Sequence, residues 1–245
     1  MNPTLLTLTI LQQALLTQVA KTFPDAVFYK KTTQRLVALT IDDIPTPNEP
    51  DDQSTHLILD AIAEHNQSIT NPNQQARATF FVISNHLCQE TELLQTILDQ
   101  GHEIGNHGLE DILVAELYPE QFQHHLEQAH HCISGLCGKP LRWYRPGRAF
   151  YNPKMLEILR ETPDYEPRFA LGSMIPLDTN SWSEHPQFTA WYTSQFIFPG
   201  SILVLHGGTV TRSENTAIAL KTILKTLTEQ NYRVVTLSEL WDSHR

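Results

Sequence analysis

Cysteine is scarce in this 245-residue sequence, which contains only Cys88, Cys132 and Cys137. Three cysteines form no even-numbered disulfide framework, and none of them belongs to a Cys-x-x-Cys pair of the kind that binds zinc. The sequence therefore excludes a disulfide scaffold and a cysteine-ligated zinc knuckle. We expect the three side chains to be buried free thiols.

Basic residues are also few, because 17 Lys and Arg stand against 27 Asp and Glu and give a formal net charge of −10. Proteins that bind nucleic acids depend largely on Lys and Arg to neutralise phosphates. The Lys and Arg residues of this chain are dispersed along the sequence. A nucleic acid is therefore not an expected partner.

Long apolar runs are missing as well, since no stretch approaches the roughly 20 residues needed to cross a bilayer. The first apolar stretch, LLTLTILQQALLTQVA, lacks the basic segment that opens a secretory signal, and it favours an amphipathic helix. We expect no transmembrane segment and a cytoplasmic location by default, with a non-standard export signal left open. The length favours one domain over residues 1–245, with residues 1–35 as a helical extension packed on it.

Short β-rich runs alternate with helical patterns along the rest of the chain. Three helices are predicted from apolar spacing and capping residues, at Ser54–His65, Thr91–Gln100 and Ser213–Gln230. The predicted strands are Leu36–Asp42, Ala78–Ser84, Glu103–His107, Trp143–Arg145, Phe169–Met174, Ile202–His206 and Arg233–Leu237. About seven β/α units predict an α/β fold with a parallel sheet, either a barrel or a doubly wound sheet.

Polar residues end several of these predicted strands, where α/β folds collect their ligands. They are Asp42 and Asp43, His107, Arg145 and His206. Asp is seldom buried without a partner, and neighbouring strand residues point to opposite faces, so two adjacent acids can serve two purposes. One could bind a metal while the other moves a proton. The alternative is that both acids cap the turn before Pro45.

A second group of candidate ligands lies in the segment GHEIGNHGLED. His107 and Asp111 are four residues apart, a spacing that places two ligands one helical turn apart if the strand leads into a helix or turn, and with Asp43 they would form a three-ligand site. Glu110 competes with Asp111, and spacing does not separate them. His102 and Glu103 precede the end of the strand, and we expect both to be structural.

Five short motifs occur in a fixed order. They are TIDD at Thr40–Asp43, HGLED at His107–Asp111, RPG at Arg145–Gly147, DTNSW at Asp178–Trp182 and LVLH at Leu203–His206. In motif identity and order the chain resembles the polysaccharide deacetylases, the NodB-like carbohydrate esterases, over roughly residues 36–240. The resemblance implies a distorted seven-stranded (β/α) barrel similar to a TIM barrel.

The resemblance also implies a role for individual residues. One divalent metal ion, Zn or else Co, Mn or Ni, would be bound by Asp43, His107 and Asp111. Asp42 would be the general base, kept as the carboxylate by Arg145, and His206 the general acid, oriented by Asp178. A backbone N–H near Arg148 would stabilise the oxyanion. The implied substrate contacts are Arg148, Tyr151 and Trp182.

The activity implied by the resemblance is metal-dependent N-deacetylation of a glycan that contains N-acetylglucosamine, such as a chitooligosaccharide or peptidoglycan. Asp111 stands where many relatives have His, which makes a harder and less positive site that favours Co, Mn or Ni more than a His-rich site would. A small or non-carbohydrate N-acyl substrate is the first alternative. The second is a catalytically silent glycan-binding protein. The sequence does not indicate the oligomeric state.

Overall fold

The computed structural model describes residues 3–87, 92–176, 178 and 185–243, with side chains from residue 11 onward. The helices are α1 Pro3–Thr22, α2 Gln53–Gln67, α3 Leu93–Asp99, α4 Pro119–Cys137, α5 Pro153–Glu161, α6 Pro186–Phe196, α7 Val210–Glu229 and α8 Leu237–Asp242. The strands are β1 Ala26–Val27, β2 Leu36–Ile44, β3 Ala78–Val82, β4 Glu103–Asn106, β5 Phe169–Ala170, β6 Ile202–His206 and β7 Arg233–Val235. Short 3-10 turns lie at Pro50–Asp52, Pro72–Gln74, Ser84–His86, Val114–Glu116 and Gly147–Ala149.

The strands form a distorted parallel (β/α)7 barrel, and β2 is the central strand of its paired wall. Strand β2 pairs with β3, β6 and β7, and β3 pairs with β4, all in parallel. The remaining side of the barrel is held by isolated bridges, from Asn106 to Tyr144 and from Met174 to Leu203. The amide of Ala170 donates to the carbonyl of Tyr144 and connects these two segments. This confirms the barrel fold.

Two predicted strands are much shorter than expected. The segment Trp143–Arg145 makes one isolated bridge, and Phe169–Met174 contains a two-residue strand, paired with β1, and a bridge at Met174. Pro146 follows Arg145 and has no N–H to extend a ladder. A Cβ atom at Gly172 would lie 2.2 Å from Val204 Cγ2, so this segment approaches β6 too closely for regular pairing by a residue with a side chain.

The predicted helices are present, with shifted ends. The helix predicted at Ser54–His65 begins at Gln53, with Asp52 as its N-cap residue. The Ser54 hydroxyl bonds Glu49 and Thr46. The helix predicted at Thr91–Gln100 spans Leu93–Asp99, with Thr91 outside the described residues. The third begins at Val210 because Thr209 caps it by accepting from the Arg212 amide. Helices α2 and α7 bury their apolar faces in the core around β2.

Helix α1 lies against the barrel through specific contacts. The hydroxyl of Thr17 lies 3.2 Å from that of Tyr29, and Gln12 Nε2 lies 3.3 Å from Met174 Sδ. Among the described residues, no helix has the length and apolar character to cross a membrane. The prediction of buried thiols is confirmed for Cys137 and wrong for Cys132, which is exposed on the solvent face of α4; Cys88 lies outside the described residues.

Candidate active site

The C-terminal ends of the strands surround one cavity. Register places Asp42 of β2 opposite His206 of β6, and His107 follows the last residue of β4. The cavity measures about 530 Å³. Its lining includes Asp42, Asp43, His107, Asp111, Arg145, Arg148, His206 and Arg212.

Asp42 forms a buried ion pair with Arg145. Arg145 Nη1 lies 2.5 Å from Asp42 Oδ1 and also donates to the Thr40 hydroxyl at 2.8 Å. The other guanidinium nitrogens donate to the carbonyls of Ala170 and Leu171. Because every Arg145 nitrogen has a buried acceptor, its guanidinium is fixed, and Asp42 is fixed with it.

His107 is held by the backbone of the same arginine. Its Nδ1 lies 2.8 Å from the Arg145 carbonyl, which can only accept, so Nδ1 carries a proton and Nε2 faces the cavity. Nε2 lies 3.2 Å from Asp43 Oδ1 and 3.9 Å from Asp42 Oδ2. Burial lowers the pKa of His107, but the two aspartates and the Arg145 carbonyl raise it by more, so the net shift is upward.

Asp43 lies at a strained end of β2. Its φ of 64° is in the left-handed region, which non-glycine residues seldom adopt. A Cβ atom at Gly208 would lie 2.7 Å from Asp43 Cβ, so the loop after β6 passes directly over this residue. Burial raises the pKa of Asp43, but His107, His206 and Arg212 lower it to about 2. Asp43 is therefore an anion across the physiological range.

His206 and Asp178 form a dyad on the opposite side of the cavity. Asp178 accepts from the His206 backbone amide at 2.9 Å and lies 2.8 Å from His206 Nδ1. Burial lowers the pKa of His206, but Asp178 and then Asp42 and Asp43 raise it to about 9. At neutral pH the imidazole is therefore protonated, with Nε2 available as a proton donor.

Asp43 and His107 suit a divalent cation. Ligand atoms at 2.0–2.2 Å from one ion lie about 2.9–3.4 Å apart, and the 3.2 Å between Asp43 Oδ1 and His107 Nε2 falls in that range. The bond from Nδ1 to a carbonyl is the outer contact that orients many metal-binding histidines. These two side chains, an oxygen and a nitrogen donor, therefore fit the ion.

Asp111 lies on the rim of the cavity. Its side chain is 55% exposed, and its Oδ1 lies 3.9 Å from Arg148 Nε. Within the part of the chain that the structure describes, no three His, Cys, Asp or Glu side chains are grouped closely enough to form a metal site. Glu110, its competitor, is exposed and does not line the cavity.

The predicted substrate contacts Arg148 and Tyr151 differ in their position relative to the cavity. Arg148 lines the cavity, in a loop where Arg148 and Ala149 both have φ near 60°. Tyr151 does not line it, because its ring packs on Phe169 at a centroid distance of 4.5 Å. Its assignment as a substrate contact is therefore not supported by its position. Trp182 lies outside the described residues.

His102 and Glu103 have the structural roles predicted for them. His102 Nδ1 accepts from the Ala78 amide at 3.2 Å, and Glu103 accepts from Thr79 and Ser238. These bonds join β3, β4 and α8 at the end of the barrel away from the cavity.

Arg212 also belongs to the site, although it was not among the residues predicted from the sequence. Arg212 Nη1 lies 3.3 Å from Asp43 Oδ2 and 3.2 Å from the Gly207 carbonyl. The sequence signal that could have identified it is an arginine in the first helical turn after LVLHGG, where an acid is the usual residue.

A family model described as polysaccharide deacetylase matches residues 29–164, more than half of the chain. The chain belongs to the polysaccharide deacetylase family. By this membership it is a hydrolase of the polysaccharide deacetylase type, a class that acts on carbon–nitrogen amide bonds. The polysaccharide deacetylase family is generally metal-dependent.

Individual relatives agree with this assignment. A peptidoglycan N-acetylglucosamine deacetylase from Bacillus cereus is 27% identical over 217 residues, which cover 84% of this chain and 88% of that protein. An acetyl xylan esterase from Clostridium thermocellum, solved with a cobalt ion, is 26% identical with a TM-score of 0.70, over 84% of this chain and 90% of that one. A carbohydrate esterase family 4 pseudoenzyme from Bacillus anthracis has the same fold, with a TM-score of 0.73 at 21% identity, over 89% and 69% of the two chains.

Proposed function

We propose that this chain is a metal-dependent N-deacetylase that removes acetyl groups from a glycan containing N-acetylglucosamine. The observation that carries the proposal is the placement of a buried carboxylate and an Asp178-bound imidazole on adjacent strands. Asp42 and His206 face one cavity, with the Asp43–His107 pair beside them. Amide hydrolysis requires a base for water and an acid for the amine, and these two residues can provide both.

A divalent cation bound by Asp43 and His107 would acidify the attacking water and polarise the amide carbonyl. Asp42 accepts the proton of that water. Arg145 holds the Asp42 carboxylate in place through Nη1, leaving Oδ2 on the His107 side of the cavity. Since every guanidinium nitrogen of Arg145 is hydrogen-bonded, Asp42 is positioned before the substrate arrives.

His206 protonates the departing nitrogen. An amine anion is too poor a leaving group to depart unassisted, so the acid has to be protonated when the C–N bond breaks. Asp178 keeps the imidazole charged and fixes its orientation through Nδ1 and the backbone amide. The loop at Pro146–Ala149 lines the cavity and is our candidate for oxyanion stabilisation.

We favour a glycan as the substrate because the Bacillus cereus relative is a peptidoglycan N-acetylglucosamine deacetylase. A cavity of about 530 Å³ also suits a sugar-sized ligand. A small non-carbohydrate N-acyl compound is the alternative that the same chemistry would accommodate.

The test is acetate release from chitooligosaccharides, peptidoglycan and a small N-acetyl amine, with protein stripped of metal and then reloaded with Zn or Co. We expect metal-dependent release from one of the two glycans. Release from the small amine alone would favour the alternative substrate. Glycan binding without acetate release, in metal-loaded protein, would overturn the enzymatic proposal in favour of a silent glycan-binding protein.

A further inference from the structure

We propose that Arg212 is a counter-charge built into the metal site, which pairs with Asp43 and lowers the affinity of the chain for its divalent cation. The inference rests on the proposed function for the location of the metal site. It concerns a residue outside the family motifs, and it predicts a weakly bound, exchangeable ion.

The first observation is that both carboxylate oxygens of Asp43 have partners. Oδ1 lies 3.2 Å from His107 Nε2, and Oδ2 lies 3.3 Å from Arg212 Nη1. A cation held between Asp43 and His107 would share the single negative charge of Asp43 with a guanidinium bound to the other oxygen. Two positive groups on one carboxylate repel each other, and the repulsion is large where side chains are mostly shielded from water, as Asp43 and Arg212 are here at 18% and 22% exposure.

The second observation is that Arg212 occupies an unfavourable position on its own helix. It lies in the first turn of α7, where the helix dipole favours acids and disfavours cations. Its Nη1 reaches back to Asp43 and to the Gly207 carbonyl. The local helix therefore gives no reason for this arginine, whereas the Asp43 carboxylate does.

The third observation is that Asp43 is oriented without Arg212. The left-handed backbone at Asp43 and the close passage of Gly208 constrain the position of its Cβ, and the contact with His107 orients Oδ1. An arginine that merely oriented a ligand would strengthen metal binding. Because other contacts already orient the Asp43 carboxylate, Arg212 affects the ion mainly through its positive charge.

The charge pattern of the whole cavity agrees with this assignment. Three carboxylates line it, and each faces an arginine: Asp42 faces Arg145, Asp43 faces Arg212 and Asp111 faces Arg148. Of these arginines, Arg145 is fixed by carbonyls and Arg148 is 61% exposed. Of the three arginines, Arg212 is the one that contacts Asp43, whose other oxygen lies 3.2 Å from His107 Nε2.

The experiment is calorimetric titration of metal-stripped protein with Co²⁺, comparing wild type with Arg212→Gln and Arg212→Lys. We expect Arg212→Gln to bind Co²⁺ on the order of tenfold more tightly, the scale on which outer contacts alter metal affinity. Arg212→Lys keeps the charge and should stay near wild type. Arg160→Gln is the matched control, because it removes the same charge from an exposed pair with Asp25 away from the cavity.

The sign of the change decides the proposal. Equal or weaker Co²⁺ binding by Arg212→Gln, with folding verified by circular dichroism, would overturn the counter-charge assignment while leaving the metal site intact. Tighter binding by Arg212→Lys, equal to that of Arg212→Gln, would overturn it too, because charge would then not be the cause. If neither wild type nor Arg212→Gln binds Co²⁺ at millimolar concentration, both this inference and the proposed metal site fail.

Discussion

Asp42 and His206 are register partners on the parallel strands β2 and β6. Adjacent strands lie about 4.8 Å apart, and paired residues project to the same side of a sheet, so this pairing fixes the separation of the proposed base and acid. The backbone reinforces the pair, since the Gly207 amide donates to the Asp42 carbonyl at 2.9 Å. The two groups are therefore placed by the sheet itself and do not depend on loop closure.

Replacing Asp42 with Asn tests the role of the base. The amide keeps an oxygen for Arg145 but cannot accept a proton from water, so we expect acetate release to fall by roughly 10²–10⁴-fold. Metal content should stay at the wild-type level because the proposed ligands are unchanged. His206→Ala should show a loss of the same order for the acid. Near-wild-type turnover in either variant, with metal bound and the circular dichroism spectrum unchanged, would remove that residue from the mechanism.

Gly208→Ala tests the close approach of the β6–α7 loop to Asp43. A methyl group would lie 2.7 Å from Asp43 Cβ and 2.9 Å from its carbonyl oxygen, at a φ of +77°. We expect a loss of roughly 1–3 kcal/mol in the free energy of unfolding and weaker metal binding, because Asp43 has to move. Chemical denaturation and metal titration measure the two effects.

Gly138→Ala is the control for backbone strain alone. Gly138 ends α4 with a φ of +68°, and no heavy atom lies within 4 Å of an added Cβ. Its alanine variant should lose about 1 kcal/mol and bind metal normally. If the two alanine variants lose equal stability and bind metal equally well, the contact between Gly208 and Asp43 has no role in the site.

The sequence was most informative where a strand runs directly into a polar residue. Asp42, His107 and His206 follow apolar β-rich runs, and parallel strands bring their carboxyl ends to one edge, so their meeting could be predicted. The irregular pairing of segments 143–145 and 169–174 could not be predicted. Isolated bridges to distant residues hold these segments in place, and local propensity does not indicate such bridges.

Long-range partners account for what the sequence did not reveal. Arg212 reaches a residue 169 positions away, and Tyr151 packs on Phe169 as part of the core margin. The positions of both side chains depend on tertiary contacts that leave no local pattern in the sequence. The outward position of Asp111 is a third case, because a spacing of four residues places two ligands together only on a helix, and residues 107–111 are not helical.

Asp111→Ala beside Glu110→Ala tests the third ligand. Asp111 lines the cavity and faces Arg148, whereas Glu110 does not line it, so we expect Asp111 to be the residue that turns toward a cation at Asp43 and His107. We expect Asp111→Ala to weaken Co²⁺ binding and Glu110→Ala to leave it unchanged, in calorimetric titrations. Both variants should keep wild-type stability because both side chains are exposed. The opposite order of affinities would make Glu110 the ligand.

His102 provides a pH dependence that is independent of catalysis. Its Nδ1 accepts from the Ala78 amide and so has to be unprotonated in the folded chain. Burial, with a smaller contribution from Arg77, lowers the pKa of His102 from 6.5 to about 4. Between pH 4 and pH 6.5, His102 therefore binds a proton in the unfolded chain and not in the folded chain. Stability is therefore fully present above pH 6.5 and is lost as the pH falls toward 4, by about 3 kcal/mol in total.

His102→Asn should remove this loss, because the Asn oxygen can accept from the Ala78 amide and does not titrate. We expect the free energy of unfolding of wild type, relative to His102→Asn, to decline by up to about 1.4 kcal/mol per pH unit between pH 6.5 and 4. Urea denaturation at several pH values measures this difference, and carboxylates common to both proteins cancel. His124→Asn, on the exposed face of α4, should follow the wild-type curve. Parallel curves for wild type and His102→Asn would show that His102 titrates normally, and the buried acceptor role assigned to its Nδ1 would then be wrong.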